Sequence, residues 1–135
     1  MMYRLGLLTV LMLPLVGSED PKSPDSSTDR LFERCVGILK NGELFPYSEP
    51  SRLNAVTTLG LLGEERGVPI LLEYLSKDKS DQMRKEIIKS LGWIGSKKAI
   101  PALEKALKDD PYEHCRKQAA IALKKITGKD YGPAK

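Results

Sequence analysis

His114 and Cys115, adjacent in "EHCRK", are the first residues whose chemistry needs settling, because the chain has one histidine and two cysteines. A Cys–His nucleophile pair needs both side chains at one site, whereas neighbouring residues on a helix point about 100° apart. Covalent haem needs C-x-x-C-H, which "EHCRK" does not supply. One imidazole cannot assemble a metal site by itself, so His114 is expected to be a solvated or capping side chain. The sequence also holds no phosphate-cradling glycine loop and no Gly-x-Ser-x-Gly. It therefore offers no catalytic, metal or cofactor-binding residues, and a non-enzymatic protein is expected.

The two cysteines, Cys35 and Cys115, are 80 residues apart in the sequence. At about 8–10 Å per packed helix layer, they would lie roughly 20–25 Å apart, beyond the ~7 Å Cα limit for a disulfide. Free thiols are expected. Cys35 would pack in a capping helix, and Cys115 falls at a repeat position that accepts Ser51 and Met83 in the other copies.

Charge is uneven. Residues 19–80 carry eight Lys or Arg against eleven acids, a net −3, while residues 81–135 carry thirteen against seven, a net +6. Lys85, Lys89, Lys97 and Lys98 are the candidate contacts for an anionic partner. The competing reading is a solvated helix face, and nucleic acid is not an expected partner of an exported chain.

What positions these groups is a repeat. Shifting the chain by 32 residues superposes Arg52, Arg84 and Arg116; Val56, Ile88 and Ala120; Leu59, Leu91 and Leu123. Gly60 then falls on Gly92, Gly63 on Gly95, and Pro69 on Pro101. Such self-similarity at one period marks a solenoid. In each unit a first helix aligns Ile87, Ile88, Leu91 and Ile94 on one face. Asp78 with Asp81, and Asp110 with Pro111 and Glu113, read as its start signals. Gly95 ends it, Ser96 caps the next helix, and Pro101 sits in that helix's first turn. The second helix turns Ile100, Leu103 and Leu107 inward.

The intervals predict helices near 30–40, 51–62, 67–76, 80–94, 98–108 and 112–127. Gly92 is read as a place of close backbone approach. The stacked Arg52, Arg84 and Arg116 would repel one another unless each reaches an acid or carbonyl in the turn before it, with Asp78 and Asp110 as partners. Trp93 aligns with Leu61 before it and Lys125 after it. A position that accepts lysine faces water, so Leu61 and Trp93 form a candidate partner-binding ridge. The alternative is that Trp93 folds back over the turn at Gly95.

The blocks "RLNAVTTLGLLGEERGVPILLEYLSKD" and "RKEIIKSLGWIGSKKAIPALEKALKDD", with a partial third copy "RKQAAIALKKITG", resemble the short HEAT repeats named after phycobilisome lyases. Tetratricopeptide repeats are the nearest rival, but the period and the Gly-x-x-Gly spacing favour HEAT. The resemblance implies an α-solenoid, with functions ranging from scaffolds to lyase subunits handling a linear tetrapyrrole. Metal-dependent hydroxylases of similar fold use His-Glu pairs at helix starts, whereas His114 is preceded by glutamate and not followed by it.

The start of the chain, "MMYRLGLLTVLMLPLVGS", has the basic, apolar and small-residue grammar of a secretory signal peptide. Its apolar run, broken by Pro14, falls short of the ~20 residues that span a bilayer. The expected organisation is a signal peptide over 1–18, a disordered leader over 19–29 and a capping helix and loop over 30–50. A repeat array over 51–128 and a tail over 129–135 complete it. The fold expected is an all-α, right-handed solenoid of about two and a half to three HEAT-like helix pairs. The function expected is an exported, periplasmic or secreted, binding or scaffold module for a protein partner, with no membrane span after processing. A lyase-type accessory subunit is the alternative.

Overall fold

The computed structural model describes residues 26–41 and 48–132, which form six α-helices: α1 (Ser27–Asn41), α2 (Glu49–Leu62), α3 (Val68–Lys77), α4 (Asp81–Ile94), α5 (Ile100–Asp109) and α6 (Glu113–Thr127). The expected signal peptide and the loop after α1 lie outside these residues, as does most of the expected leader. Its last three residues are helical, because Ser26 caps α1 by accepting the Asp29 amide at 3.1 Å. No helix among the described residues is long and apolar enough to cross a membrane.

The first helices of successive units, α2, α4 and α6, lie side by side, and α3 and α5 back them in a second layer. The capping helix α1 extends that second layer. It packs on α2, and the Tyr74 hydroxyl of α3 donates to the Leu39 carbonyl at 2.7 Å. Arg66 lies over the Phe32 ring, 4.0 Å from its centre, and pairs with Asp29. One core runs through all of this, with Val56, Leu59, Leu71, Ile87, Leu91, Leu103 and Leu123 almost wholly enclosed. No helix with a single apolar stripe can exclude water alone, so each layer is stable only against the other.

Local signals act a little differently from the sequence expectation. The start of α4 is capped by Ser80, whose hydroxyl accepts the Met83 amide, and not by Asp78. Asp78 and Asp110 close the preceding helices α3 and α5. They turn back to accept the amides of Ser80 and Tyr112, each at 3.0 Å. Pro111 therefore precedes α6 and lies outside its first turn. Ser96 caps a short 3-10 turn over Lys97–Ala99, and α5 begins only at Ile100 with Pro101 in its first turn. Pro69 occupies the same place in α3. Gly95 takes φ 74° and ends α4 in the left-handed region. The position shared by Met83 and Cys115 is fully enclosed, so it selects apolar or weakly polar groups. Ser51, the equivalent residue of α2, is only half-buried.

The spacing between first-layer helices is set by two glycines. A Cβ on Gly60 would come within 2.6 Å of the Ser90 side chain and 2.8 Å of its Cα, and one on Gly92 within 2.9 Å of Ala122. Ser90 uses this closeness to donate to the Val56 carbonyl at 3.0 Å. Gly92→Leu should therefore overpack the α4–α6 junction and destabilise the fold by about 1–3 kcal/mol, although leucine is the better helix former. Gly60→Ala should act in the same direction at the α2–α4 junction. Chemical denaturation checks both, and an unchanged midpoint would mean that the helices are farther apart than these distances.

Candidate protein-binding ridge and the arginine clamp

The recurrent residues sort into three groups by what they touch. Gly60 and Gly92 make the helix junctions described above. The arginines form a clamp along one edge of the array. Arg84 forks to both carboxylate oxygens of Asp110, at 2.8 and 3.2 Å, while another of its nitrogens donates to the carbonyls of Asp78 and Lys79 at 3.1 Å. Arg52 pairs with Asp78, and Arg116 donates to the Asp110 carbonyl at 2.7 Å. For Arg52 and Arg84 the carboxylate thus comes from the turn after the arginine, while the turn before Arg84 and Arg116 supplies carbonyls. Because each aspartate serves one arginine through its side chain and the next through its backbone, the units are joined in series.

Arg84 and Asp110 are largely shielded, with side chains 12% and 5% exposed. Burial pushes the Asp110 carboxyl up, but Arg84 and the Tyr112 amide outweigh it and hold the group below the ordinary carboxylate range. The Arg84 guanidinium is correspondingly raised by its bonds to Asp110.

Leu61 and Trp93 occupy equivalent places on neighbouring helices. Leu61 is 71% exposed, while Trp93 is half-buried and carries the Lys89 ammonium 4.7 Å from its ring centre. Lys85, Lys89 and Trp93 follow one stripe of α4 at four-residue steps. Lys89 also pairs with Glu86 at 3.4 Å. Lys97 and Lys98 are exposed in the turn beyond α4, with Lys98 3.9 Å from Glu65. The candidate lysines therefore do not form one uncompensated patch. Two of them have carboxylate neighbours, and Lys89 is bound up with the ridge itself.

Sequence periodicity did not reveal the grooves between second-layer helices. One of about 210 Å³ lies between α3 and α5, floored by Leu72, Leu75, Ala102 and Ala106. The other, of about 330 Å³, lies between α1 and α3 and includes Phe32, Val36 and Ile70. The available signal was helix length: α3 and α5 have ten residues each, against fourteen or fifteen in the first layer.

His114 and Cys115 both reach Asp81, through different atoms. The imidazole Nε2 lies 2.8 Å from Asp81 Oδ2, without the alignment of a hydrogen bond. The Cys115 thiol is enclosed and donates to the Asp81 carbonyl at 3.4 Å. Burial, with Asp110 nearby, pushes that thiol up to about 11. Both cysteines are free, and among the described residues no group of three or more His, Cys, Asp or Glu is placed to hold a metal ion.

The clamp makes a signed pH prediction. A folded-state carboxyl below its unfolded value stabilises the fold above the unfolded pKa of ~3.9 and loses that contribution as pH falls through the folded value. Asp110→Asn should accordingly cost about 1.5–3 kcal/mol at neutral pH, in the range for hydrogen bonds to charged groups. The deficit should shrink in strong acid. Urea unfolding at neutral and acidic pH measures this, and a deficit independent of pH would assign Asp110 a purely steric role.

No curated protein matches the chain closely enough to count as a relative. A family model described as HEAT repeats does match, over residues 47–124. That span holds α2 to α5 and most of α6, with the Arg52 and Arg84 clamps and both junction glycines. The chain belongs to the HEAT repeat family.

Proposed function

We propose that this protein is an exported scaffold that binds a protein partner through the ridge of Leu61 and Trp93. The observation that carries the reading is the 71% exposure of Leu61 at a repeat position whose next copy is the chain's single tryptophan. Leucine gains nothing from water. Placed beside a tryptophan, it supplies the apolar anchor that interfaces use. HEAT arrays provide extended surfaces of this kind, and family membership supports a binding role of the coarse sort. Lys89 over the Trp93 ring suits such a site, because it holds one ring face in a fixed orientation by a cation–π contact. Within the family, we assign the repeats to the short type found in phycobilisome lyases, on the residue blocks quoted above. Export rests on the grammar of residues 1–18.

Two measurements test this. Trp93→Lys reproduces the residue found at Lys125 and should leave the unfolding midpoint nearly unchanged while abolishing capture of the partner from the exported fraction. Leu61→Lys should do the same. A large loss of stability with capture retained per folded molecule would return Trp93 to a structural role. For export, N-terminal sequencing of the protein recovered outside the cytoplasm should begin near Glu19, and an intact Met1 in a cytoplasmic product would refute it.

A further inference from the structure

The outward stripe of α6 is a second interaction surface. In α2 and α4 the next first-layer helix covers most of the equivalent stripe: Val56 and Ile88 are fully enclosed, Thr57 donates to Glu86 at 2.7 Å, and Gly60 and Gly92 receive Ser90 and Ala122, while Lys89, the α4 counterpart of Ile121, lies over the Trp93 ring. On α6 those three places are Ala120, Ile121 and Lys124, with Lys117 on the same stripe one turn earlier, at helical steps of three and four. Ile121 is 50% exposed, and both lysines face water.

Among the described residues no further helix packs on this stripe, and the exposed face of a helix is ordinarily polar. Here the fold gains nothing from isoleucine at 121, where the preceding copies have Thr57 and Lys89. Lys124 in the glycine position also prevents another helix from nesting at the distance found within the array. Any occupant must sit farther out and satisfy ammonium groups. The surrounding charge leans positive: Lys117, Lys124 and Lys125 line α6 and Lys129 follows it, against Glu113, which pairs with Lys117 at 2.7 Å, and Asp130 beyond the helix end. At the α2–α4 junction the incoming helix also brings a carboxylate, Glu86, to the place equivalent to Ile121.

We infer that this stripe docks an amphipathic helix of another protein, with an apolar residue over Ile121 and carboxylates flanking it toward Lys117 and Lys124. A second copy of this chain fits poorly. Its own leading first-layer helix, α2, would offer Asn54 and Thr58 where the incoming helix at the α2–α4 junction carries Glu86 and Ser90, and so no carboxylate. A nucleic acid would satisfy the lysines but has no use for the isoleucine between them.

The stripe lies on α6 and the Leu61 and Trp93 ridge on α2 and α4, so substitutions on the separate helices let the two readings fail separately. The test is selection from a display library of helix-forming peptides that share one apolar stripe and differ in acidic, neutral or basic flanks, using the purified chain as bait. Acidic-flanked peptides should be enriched, and their affinity should fall about tenfold or more in Ile121→Glu, the size of effect expected for an interface anchor. It should fall also in Lys124→Glu, recover when a peptide carboxylate is exchanged for lysine against Lys124→Glu, and be unaffected by Trp93→Lys. Because Ile121 and Lys124 are outside the core, the variants should melt with the parent chain, and the exchange experiment reports binding independently of folding. Failure of acidic flanks to enrich, or equal binding to Ile121→Glu, overturns the inference. So does self-association abolished by Ile121→Glu, or tight binding of a mixed-sequence oligonucleotide that ignores Ile121.

Discussion

The clamp of arginine between two turns is the constraint on which the rest of the structure depends. A guanidinium carries five donors in a planar fork, enough to satisfy a carboxylate and backbone carbonyls together. Arg84 does so, reaching forward to Asp110 and back to Asp78 and Lys79. Three arginines stacked on one edge would repel one another if left bare. Threaded through Asp78 and Asp110, they become a chain of alternating charge that sets how far each unit advances on the last. The close junctions at Gly60 and Gly92 lie on the same helices and require that same advance, since a shift of one residue would put a side chain where the glycine must be.

That geometry divides the surface. Side chains between first-layer helices are enclosed or paired, as with Ser90 on the Val56 carbonyl and Thr57 on Glu86. Among the described residues the large apolar groups left exposed are Leu31 on α1, Leu61 on α2, Tyr112 before α6 and Ile121 on its outward stripe. The second layer contributes grooves, one between α3 and α5 and one between α1 and α3. A molecule built in this way presents several faces of different chemistry on one rigid edge-locked array. HEAT arrays commonly use such surfaces to bind proteins.

The chemistry of the sulfur and imidazole groups agrees with this division. Cys115 is a core residue whose raised thiol pKa keeps it protonated and unreactive near neutral pH. His114 leans toward Asp81, at the start of the neighbouring first-layer helix, and so belongs to the packing of α4 against α6. Both end on Asp81, the thiol at its carbonyl and the imidazole near its carboxylate.

The helices, their period and the equivalence of the arginines, glycines and prolines were legible in the sequence, because a repeat writes the same local physics several times and each copy checks the others. Gly95 as a helix stop and Pro101 as a first-turn residue follow from backbone sterics alone. The acids Asp78 and Asp110 were recognisable as partners from their shared offset. Their actual role was not, since a capping acid and a clamping acid look alike until the turn is built, and Ser80 takes the cap while Asp78 turns toward Arg52. Nor could the sequence show that Cys115 is enclosed, or that the stripe of Ile121 is left uncovered, because both depend on which helix lies alongside. Local spacing determines which residues share a face. What that face meets is decided by contacts between residues some thirty positions apart, and those exist only once the units are stacked.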